Sequence, residues 1–428
     1  MDYIYLSVQP VVWYHPECWK SSRQKPAKGA QMKKFLIIVL IAVMAISSAL
    51  AGDFSFLFTE LDQHVEILGG FLPTLVTIGG SYNGLDLIPG DLTQIQATIG
   101  GGYTQRKVFQ DPTDGSPLLG DFFTFDTWQA RWNLKFLQGF GESWVPEKDL
   151  VTFYAGYEGR WEKYVDSMVK GELRSSGITS INFEQQTFPV PTFDNWKGGL
   201  LTSSPVFTDL AKDRSIIATI FYAGLRLNGM ADTGVTCDGI LGDINFKWAP
   251  NSLSTDRISY YSATFNLVGS KTLYQKQFSN GSNAFSIVLI DRANVNWTDG
   301  AHVPVYAQGP VSLGRKVRGY NTYSFNTQFS VVNNLDIRLS GPDRIFDFMK
   351  GVFPRLNLFI DCGYHMGKYF NSDIEGSHFL ASTGAQLEVS FMDFIDLGIQ
   401  VAYLLTPTKN AVTPWKNVVL GATFFLDF

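Results

Sequence analysis

Hydrophobic and polar residues alternate along most of the chain with a period of two, and clusters of Gly, Asn, Asp and Pro separate the alternating segments. The segment 418–428 is the clearest example, because every second residue from Val418 to Phe428 is apolar and the residues between them are mixed. In segment 128–136, four polar or charged residues stand between apolar ones: Gln129, Arg131, Asn133 and Lys135. Such alternation predicts strands with two different faces, and a charged face beside large aromatic residues is typical of a wet barrel interior.

The same pattern predicts about thirteen strands. They lie at 72–82, 94–103, 128–136, 149–163, 214–228, 235–249, 257–270, 283–295, 326–340, 354–366, 378–390, 396–405 and 418–428. Because bacterial single-chain barrels normally have an even number of strands, we expect at least one more, at 178–188 or 198–206. A secreted β-sandwich is the soluble alternative, but its apolar faces would then be exposed patches far larger than a few hundred Å². We therefore predict an all-β fold, a transmembrane antiparallel β-barrel.

The longest apolar run, Phe35 to Ile46, is too short to span a bilayer as a helix. Lys33 and Lys34 precede it and the small residues Ala49 and Ala51 follow, which is the arrangement of a secretory signal peptide. A signal peptide is N-terminal, so translation is expected to start at Met32. The expected organisation is an upstream or untranslated stretch at 1–31, a signal peptide at 32–51 and the barrel at 52–428.

Composition and charge exclude several function classes. The formal net charge of −5 gives no reason to expect a nucleic-acid partner. Cys237 and Cys362 are the only cysteines after the signal, too few for a disulfide framework; two free thiols or one bond between them stay open. The chain has no G-x-S-x-G or H-E-x-x-H motif. The histidines after the signal are not at metal-ligand spacing; they are His64, His302, His365 and His378. We therefore expect no enzyme, no metal and no cofactor.

Two short motifs in the C-terminal third carry a family resemblance. Val317-Arg318-Gly319-Tyr320 is followed about 40 residues later by Phe359-Ile360-Asp361-Cys362-Gly363. In this order and spacing they resemble the loop motif (V/L)-R-G-(F/Y) and the strand motif F-x-D-x-G of the BamA-type superfamily, also called bacterial surface antigen proteins. The resemblance covers residues from about 215 to 428. It implies a barrel of sixteen strands in which the extracellular loop that carries the first motif folds back into the lumen.

Strand alternation supports this loop geometry independently of the family. If Leu358 and Ile360 face lipid, Phe359, Asp361 and Gly363 face the lumen, and the same reasoning sends Asp336 inward. A carboxylate in a partly dehydrated lumen needs a cationic partner, and the planar fork of Arg318 supplies two charge-assisted hydrogen bonds. Arg318 is therefore expected within hydrogen-bonding distance of Asp361, Asp336 or both. The alternative is that Arg318 is a solvated loop cation beside Arg315 and Lys316.

The motif neighbours and the last strand have expected roles as well. Gly319 permits a tight turn, and Tyr320 is expected to pack against Phe359. The final strand, with Phe424, Leu426 and Phe428 on its apolar face, resembles the signal that the barrel-assembly machinery captures by strand addition. The alternative for Phe428 is a place in the aromatic girdle. Gly421 lies in the middle of this strand and is a possible gate, or else it makes room for a lumen side chain.

Members of the family carry periplasmic POTRA domains before the barrel, and the roughly 20 residues from Gly52 to Leu72 are too few for one. Three function classes stay open. The first is assistance to the insertion or translocation of proteins or lipids at the outer membrane, with a separate periplasmic protein as partner. The second is a passive pore, and the third is a structural or surface-binding protein. All three imply a bacterial outer-membrane location, contact with its lipid, and the barrel-assembly machinery as a partner during biogenesis.

Overall fold

The structure is a computed structural model, and it describes a defined set of residues. These are 54–63, 74–88, 91–108, 110, 115–117, 123–141, 146–165, 174–175, 180–183, 186–189, 215–232, 236–254, 258–279, 283–308, 313, 316–320, 325–342, 344–346, 349–350, 352–391, 395–406 and 417–426. The expected upstream stretch 1–31 and signal peptide 32–51 lie outside them, and their assignment stays a prediction.

Fourteen antiparallel strands form one sheet, in which each strand pairs with the next along the chain. They are β1 Phe54–Gln63, β2 Thr74–Ile88, β3 Asp91–Val108, β4 Phe123–Phe140, β5 Val151–Val165, β6 Ser215–Asn228, β7 Cys237–Ala249, β8 Ser259–Gln277, β9 Asn283–His302, β10 Thr327–Ser340, β11 Val352–Tyr369, β12 Glu375–Phe391, β13 Ile395–Leu404 and β14 Val418–Leu426. The prediction of an all-β, antiparallel fold is thus confirmed. The count of sixteen stays a prediction, because the described residues give fourteen strands in sequence.

Six short strands lie off this path. Arg174–Ser175 pairs with β4, and Ala231–Asp232 pairs with β7. Two separate hairpins are formed by the remaining four: Ser180–Phe183 with Gln186–Pro189, and Arg344–Phe346 with Met349–Lys350. The prediction of a wall strand at 178–188 is therefore wrong, because that segment folds on itself, and 198–206 lies outside the described residues.

The strand that the alternation did not predict is β1. Its pairing with β2 shifts register between Phe58 and Leu61, where an irregularity interrupts the alternation. The period-two pattern therefore does not continue along the whole strand, although Phe54, Phe56 and Phe58 alternate at its start.

In the part of the chain that the structure describes, helices are few and short. Val305–Gln308 is an α-helical turn, and Pro146–Lys148 and Asn251–Leu253 are 3₁₀ turns. None of the helices in the described segments is both long and apolar enough to cross a membrane.

Burial alternates along the strands as the sequence predicts. On β11, Leu358 and Ile360 are 44% and 54% exposed, whereas Phe359 and Asp361 between them are 2% and 0% exposed. The exposed face, here called the outer face, is largely apolar. The inner face is polar, and it contains ion pairs such as Arg160 with Glu162, whose Nε and Oε1 atoms are 2.7 Å apart.

The sheet curves around an interior. Gln110, which follows β3, donates a hydrogen bond of 3.0 Å to the carbonyl oxygen of Phe370, which follows β11. Arg160 on β5 lies 4.1 Å from the ring centroid of Tyr306, which belongs to the connection between β9 and β10. Strands that are distant in the sheet order therefore meet across the inner side. Within the described part of the chain, no ladder joins β1 to β14.

Three connections lie at the same end of the sheet because the strands alternate in direction. They are the β9–β10 connection at 303–326, the β11–β12 turn at 370–374 and the β13–β14 connection at 405–417. We call this the loop end, and the opposite end the turn end. On the outer face between the two ends lies Cys362, a free thiol, so the single bond between Cys237 and Cys362 is not formed. The alternative of two free thiols is wrong as well, because Cys237 is disulfide-bonded.

Candidate functional site

The connection 303–326 is here called the inner loop, and its described residues lie against the inner face of the sheet. Its fully or almost fully buried residues include Leu313, Val317, Tyr320 and Phe325. They share one apolar cluster with residues of β10 to β13, namely Val332, Tyr369, Leu380 and Leu404. The loop thus has its own hydrophobic contact with the wall, as the resemblance implies for the loop that carries the first motif.

Arg318 lies against Asp361 in the geometry that the motifs predict. Its Nε donates to Oδ2 of Asp361 at 2.7 Å, and its Nη2 donates to Oδ1 at 2.6 Å. The backbone N–H of Arg318 donates to the same Oδ2 at 2.9 Å. The carboxylate, which is 0% exposed, therefore receives three hydrogen bonds from one residue. Since Arg318 itself is only 5% exposed, its interpretation as a solvated loop cation is wrong.

Asp336 on β10 is the second carboxylate at this site. Its Oδ1 lies 2.7 Å from Nη2 of Arg318, and its Oδ2 accepts a hydrogen bond from Nη1 of Arg292 on β9. Two guanidinium groups therefore face two carboxylates, and all four side chains are at most 10% exposed. Because a buried charge is tolerated when it is paired and hydrogen-bonded, this balance explains how charged residues stay inside the sheet.

The ring of Phe359 lies against the guanidinium group of Arg318. The centre of the Arg318 guanidinium lies 3.8 Å from the Phe359 ring centroid, which is a close cation–π contact. Arg318 is thus the residue that the structure places over Phe359, where the sequence predicted Tyr320. The hydroxyl of Tyr320 instead lies 2.8 Å from the carbonyl oxygens of Ala381 and Thr406, and the N–H of Thr406 donates to it at 3.2 Å.

Two glycines make room for this close approach. Gly319 has φ +93°, and a Cβ there would lie 2.7 Å from Cδ2 of Leu404 and 3.0 Å from Cβ of Ala402. Gly363 lies under the loop, where a Cβ would overlap the side chains of Leu313 and Val317. Each position is therefore restricted to glycine for a steric reason, and Gly319 also for a conformational one.

The inner loop has a second set of anchors that the motifs did not indicate. Tyr306 packs against Arg160 of β5 across the interior and against Tyr260 of β8, with ring centroids 6.3 Å apart. At the loop end, Asn371 donates to the carbonyl oxygen of Val303 and accepts from its N–H, both at 3.1 Å. The loop is therefore held to the wall on opposite sides of the interior. The sequence did not predict the partners of Tyr306, Arg160 and Tyr260, because they are distant along the chain.

His365 and His378 form a further cluster near the loop end. Nε2 of His365 lies 3.0 Å from Nδ1 of His378, and Nδ1 of His365 lies 3.0 Å from the Thr327 hydroxyl. The Phe325 ring stacks on both imidazoles with centroids 4.4 Å apart. His365 is buried and hydrogen-bonded on both ring nitrogens, whereas His378 is exposed. In the described residues, no group of three or more His, Cys, Asp or Glu is arranged to hold a metal ion.

The last strand carries the remaining predicted residues. In β14, Phe424 is opposite Leu397 and Leu426 is opposite Ile395, while Phe428 lies outside the described residues. Gly421 is opposite Gln400 in an uninterrupted ladder, and a Cβ there would lie 3.9 Å from Cβ of Gln400. The pairing of β13 with β14 shows no register shift along Val418–Leu426. The roles of these residues in assembly and gating stay predictions.

Solved structures that align with the chain include two from named bacteria. BamA from Haemophilus ducreyi lacking POTRA domains 1–3 aligns at 12% identity and a TM-score of 0.40, over 84% of this chain and 68% of that one. CdiB from Acinetobacter baumannii aligns at 10% identity and a TM-score of 0.42, over 83% of this chain and 51% of CdiB. A bacterial polysaccharide outer membrane secretin aligns at 9% identity and a TM-score of 0.28, over 87% and 93% of the two chains. No protein-family model and no curated protein matches the sequence.

Proposed function

We propose that the protein is a bacterial outer-membrane barrel with an occupied lumen, which assists the insertion or translocation of proteins or lipids at that membrane. The observation that carries the proposal is the clamp between Arg318 and the carboxylates of Asp361 and Asp336. A loop fixed inside the barrel by buried ion pairs reduces the free cross-section of the lumen.

The clamp favours assisted transport over free diffusion because it holds the inner loop at two separated places. One is the Arg318 site on β10 and β11, and the other is the contact of Tyr306 with Arg160 on β5. A passive pore needs an open, water-filled path, and such a path is narrowed by a loop attached to both sides. Movement of the loop, or of the sheet edges β1 and β14, then becomes the step that admits a client.

The passive pore is the second candidate, and the polar inner face favours it. Charged and hydrogen-bonding groups line the interior at β5 and β7, where the Tyr154 hydroxyl donates to Asp243 at 3.0 Å. Porin interiors are polar in the same way. The two candidates differ in what the protein does to a client chain, since a pore conducts solutes but does not speed the folding of another barrel.

A reconstitution experiment distinguishes them. A urea-denatured outer-membrane barrel is added to liposomes that contain the purified protein, to protein-free liposomes and to liposomes that contain an unrelated closed barrel. We expect the client to fold several times faster with this protein than in either control. Equal rates in all three preparations would contradict assistance with protein insertion and leave lipid transport to be tested with labelled phospholipid. If the protein accelerates neither client folding nor phospholipid transport, and its conductance is steady, the passive pore is the correct function.

A further inference from the structure

The outer face carries a polar cluster where an apolar surface is expected. Asp291 on β9 is exposed between the buried residues Ile290 and Arg292, so its carboxylate points away from the interior. Asn333 on β10 donates to Oδ1 of Asp291 at 2.7 Å. Cys362 on β11 is paired with Asn333 in the ladder and shares its face. Three adjacent strands therefore contribute a carboxylate, an amide and a thiol to one patch, here called the Asp291 patch.

Aromatic contacts place this patch near the middle of the membrane-facing wall. On β9, Asp291 is midway between Phe285 and Trp297. Each of these two rings contacts a tyrosine ring of β8. The ring centroids of Phe285 and Tyr274 are 6.3 Å apart, and those of Trp297 and Tyr261 are 5.1 Å apart. Aromatic rings typically border the apolar band of a barrel, which is about 25 Å tall. At about 3.3 Å per residue and a tilt of about 45°, the stretch between Phe285 and Trp297 rises roughly 28 Å.

A carboxylate at this depth is unfavourable beside lipid. Charged substitutions on the lipid face of a barrel destabilise it most at the midplane, and ionisable residues inside a membrane usually have a partner. Nearby charges are already engaged: Lys271 of β8 pairs with Asp238 of β7 at 2.8 Å, and Arg292 points inward to Asp336. Within the described part of the chain, Asp291 forms no ion pair, so its carboxyl group has no cationic partner there.

We infer that the Asp291 patch is a lateral docking site for a membrane-embedded segment of another protein, which presents a cationic or hydrogen-bond-donating side chain at the same depth. Charge complementarity selects this occupant. A second copy related by a two-fold axis would bring Asp291 against Asp291, because the same surface then meets itself. Lipid headgroups lie at the borders of the apolar band rather than in its middle. Small neighbours on the same face, Ala293 and Gly269, let a second backbone approach closely.

The inference can be tested by photo-crosslinking in cells that produce the protein from its own gene. A benzoylphenylalanine is introduced at Ala293, directly opposite Asn333, and in a control at Ile399 on β13, which is 62% exposed on the outer face. We expect a hetero-adduct from position 293 and none from position 399. Asp291→Leu in the 293 background should lower the adduct about tenfold, while the heat-modifiable barrel stays at least as stable because leucine suits lipid.

Several results would overturn the inference. The adduct yield at position 293 could be no higher than at position 399, or it could be unchanged in Asp291→Leu. The adduct could also have the mass of two copies of this chain, or contain lipid alone. Asp291→Asn serves as a second variant of the same shape, and its adduct yield should fall between those of the native residue and Asp291→Leu. Since Asp291→Leu leaves the inner loop untouched, unchanged conductance in that variant keeps this test separate from the proposed function.

Discussion

At the residue scale, the site depends on pairing between buried charges. Asp361 is fully buried and accepts three hydrogen bonds from Arg318, and Asp336 is shared between Arg318 and Arg292. Removing one member leaves a carboxylate in a place from which water is largely excluded, which costs more than the pair contributes when intact. The two motifs predicted this pairing because strand alternation alone fixes the side on which Asp361 and Asp336 lie. They did not predict Arg292, whose role depends on the register between β9 and β10.

Arg318→Ala should loosen the inner loop, with a local cost of about 3–5 kcal/mol, because Asp361 loses its cation. Arg318→Lys should restore part of the stability, since an ammonium group keeps the charge but lacks the planar fork. Heat-modifiability gels and thermal unfolding measure the effect. Lys368→Ala is the matched control, because its ion pair with Asp373, at 3.3 Å, is solvent-exposed and contributes little to stability. Equal behaviour of Arg318→Ala and Lys368→Ala would contradict a structural role for the clamp.

Gly319→Ala should be destabilising by more than about 1–2 kcal/mol, the usual cost of a left-handed backbone at a residue with a side chain. The added methyl group would also press on Leu404 and Ala402. Gly421→Ala is the control, since among the described residues a Cβ there meets Cβ of Gln400 alone, at an ordinary distance of 3.9 Å. Thermal unfolding of both variants decides the point, and a larger loss in Gly421→Ala would refute the steric account.

At the element scale, alternation predicted where most strands lie but gave poor boundaries. Segment 283–295 is part of a longer strand, Asn283–His302, because polar residues near its end face the interior rather than ending the strand. The irregular strand β1 was not predicted. A strand of the main sheet was predicted at 178–188, where the chain instead forms the hairpin Ser180–Phe183 with Gln186–Pro189. The inner loop was predicted at Arg318 but not at Tyr306, since contacts across a barrel interior leave no local pattern.

The order of the strands also predicts which connections share a side of the membrane. Cysteine introduced at Asp373 in the β11–β12 turn, whose side chain is fully exposed, should react with an impermeant maleimide on intact cells. Cysteine at Ser279, in the β8–β9 hairpin at the turn end, should react only after the outer membrane is permeabilised. The reverse pattern would show that the barrel is inserted with the turn end outside.

At the scale of the whole molecule, the two faces of the sheet differ in polarity. The outer face is apolar apart from features such as the Asp291 patch, while the inner face holds the charges that fix the inner loop. The sequence predicted this division, because it follows from period two. It could not predict the contact of the inner loop with β5, which joins elements far apart along the chain.

The central claim is that the clamp keeps the lumen closed, and single-channel recording in planar bilayers tests it most directly. The wild-type protein should show small or unstable conductance, and Arg318→Ala should show larger and longer openings, because the inner loop loses its hold on Asp361 and Asp336. Lys368→Ala should behave as wild type. A large, steady conductance in the wild type, unchanged by Arg318→Ala, would contradict the account.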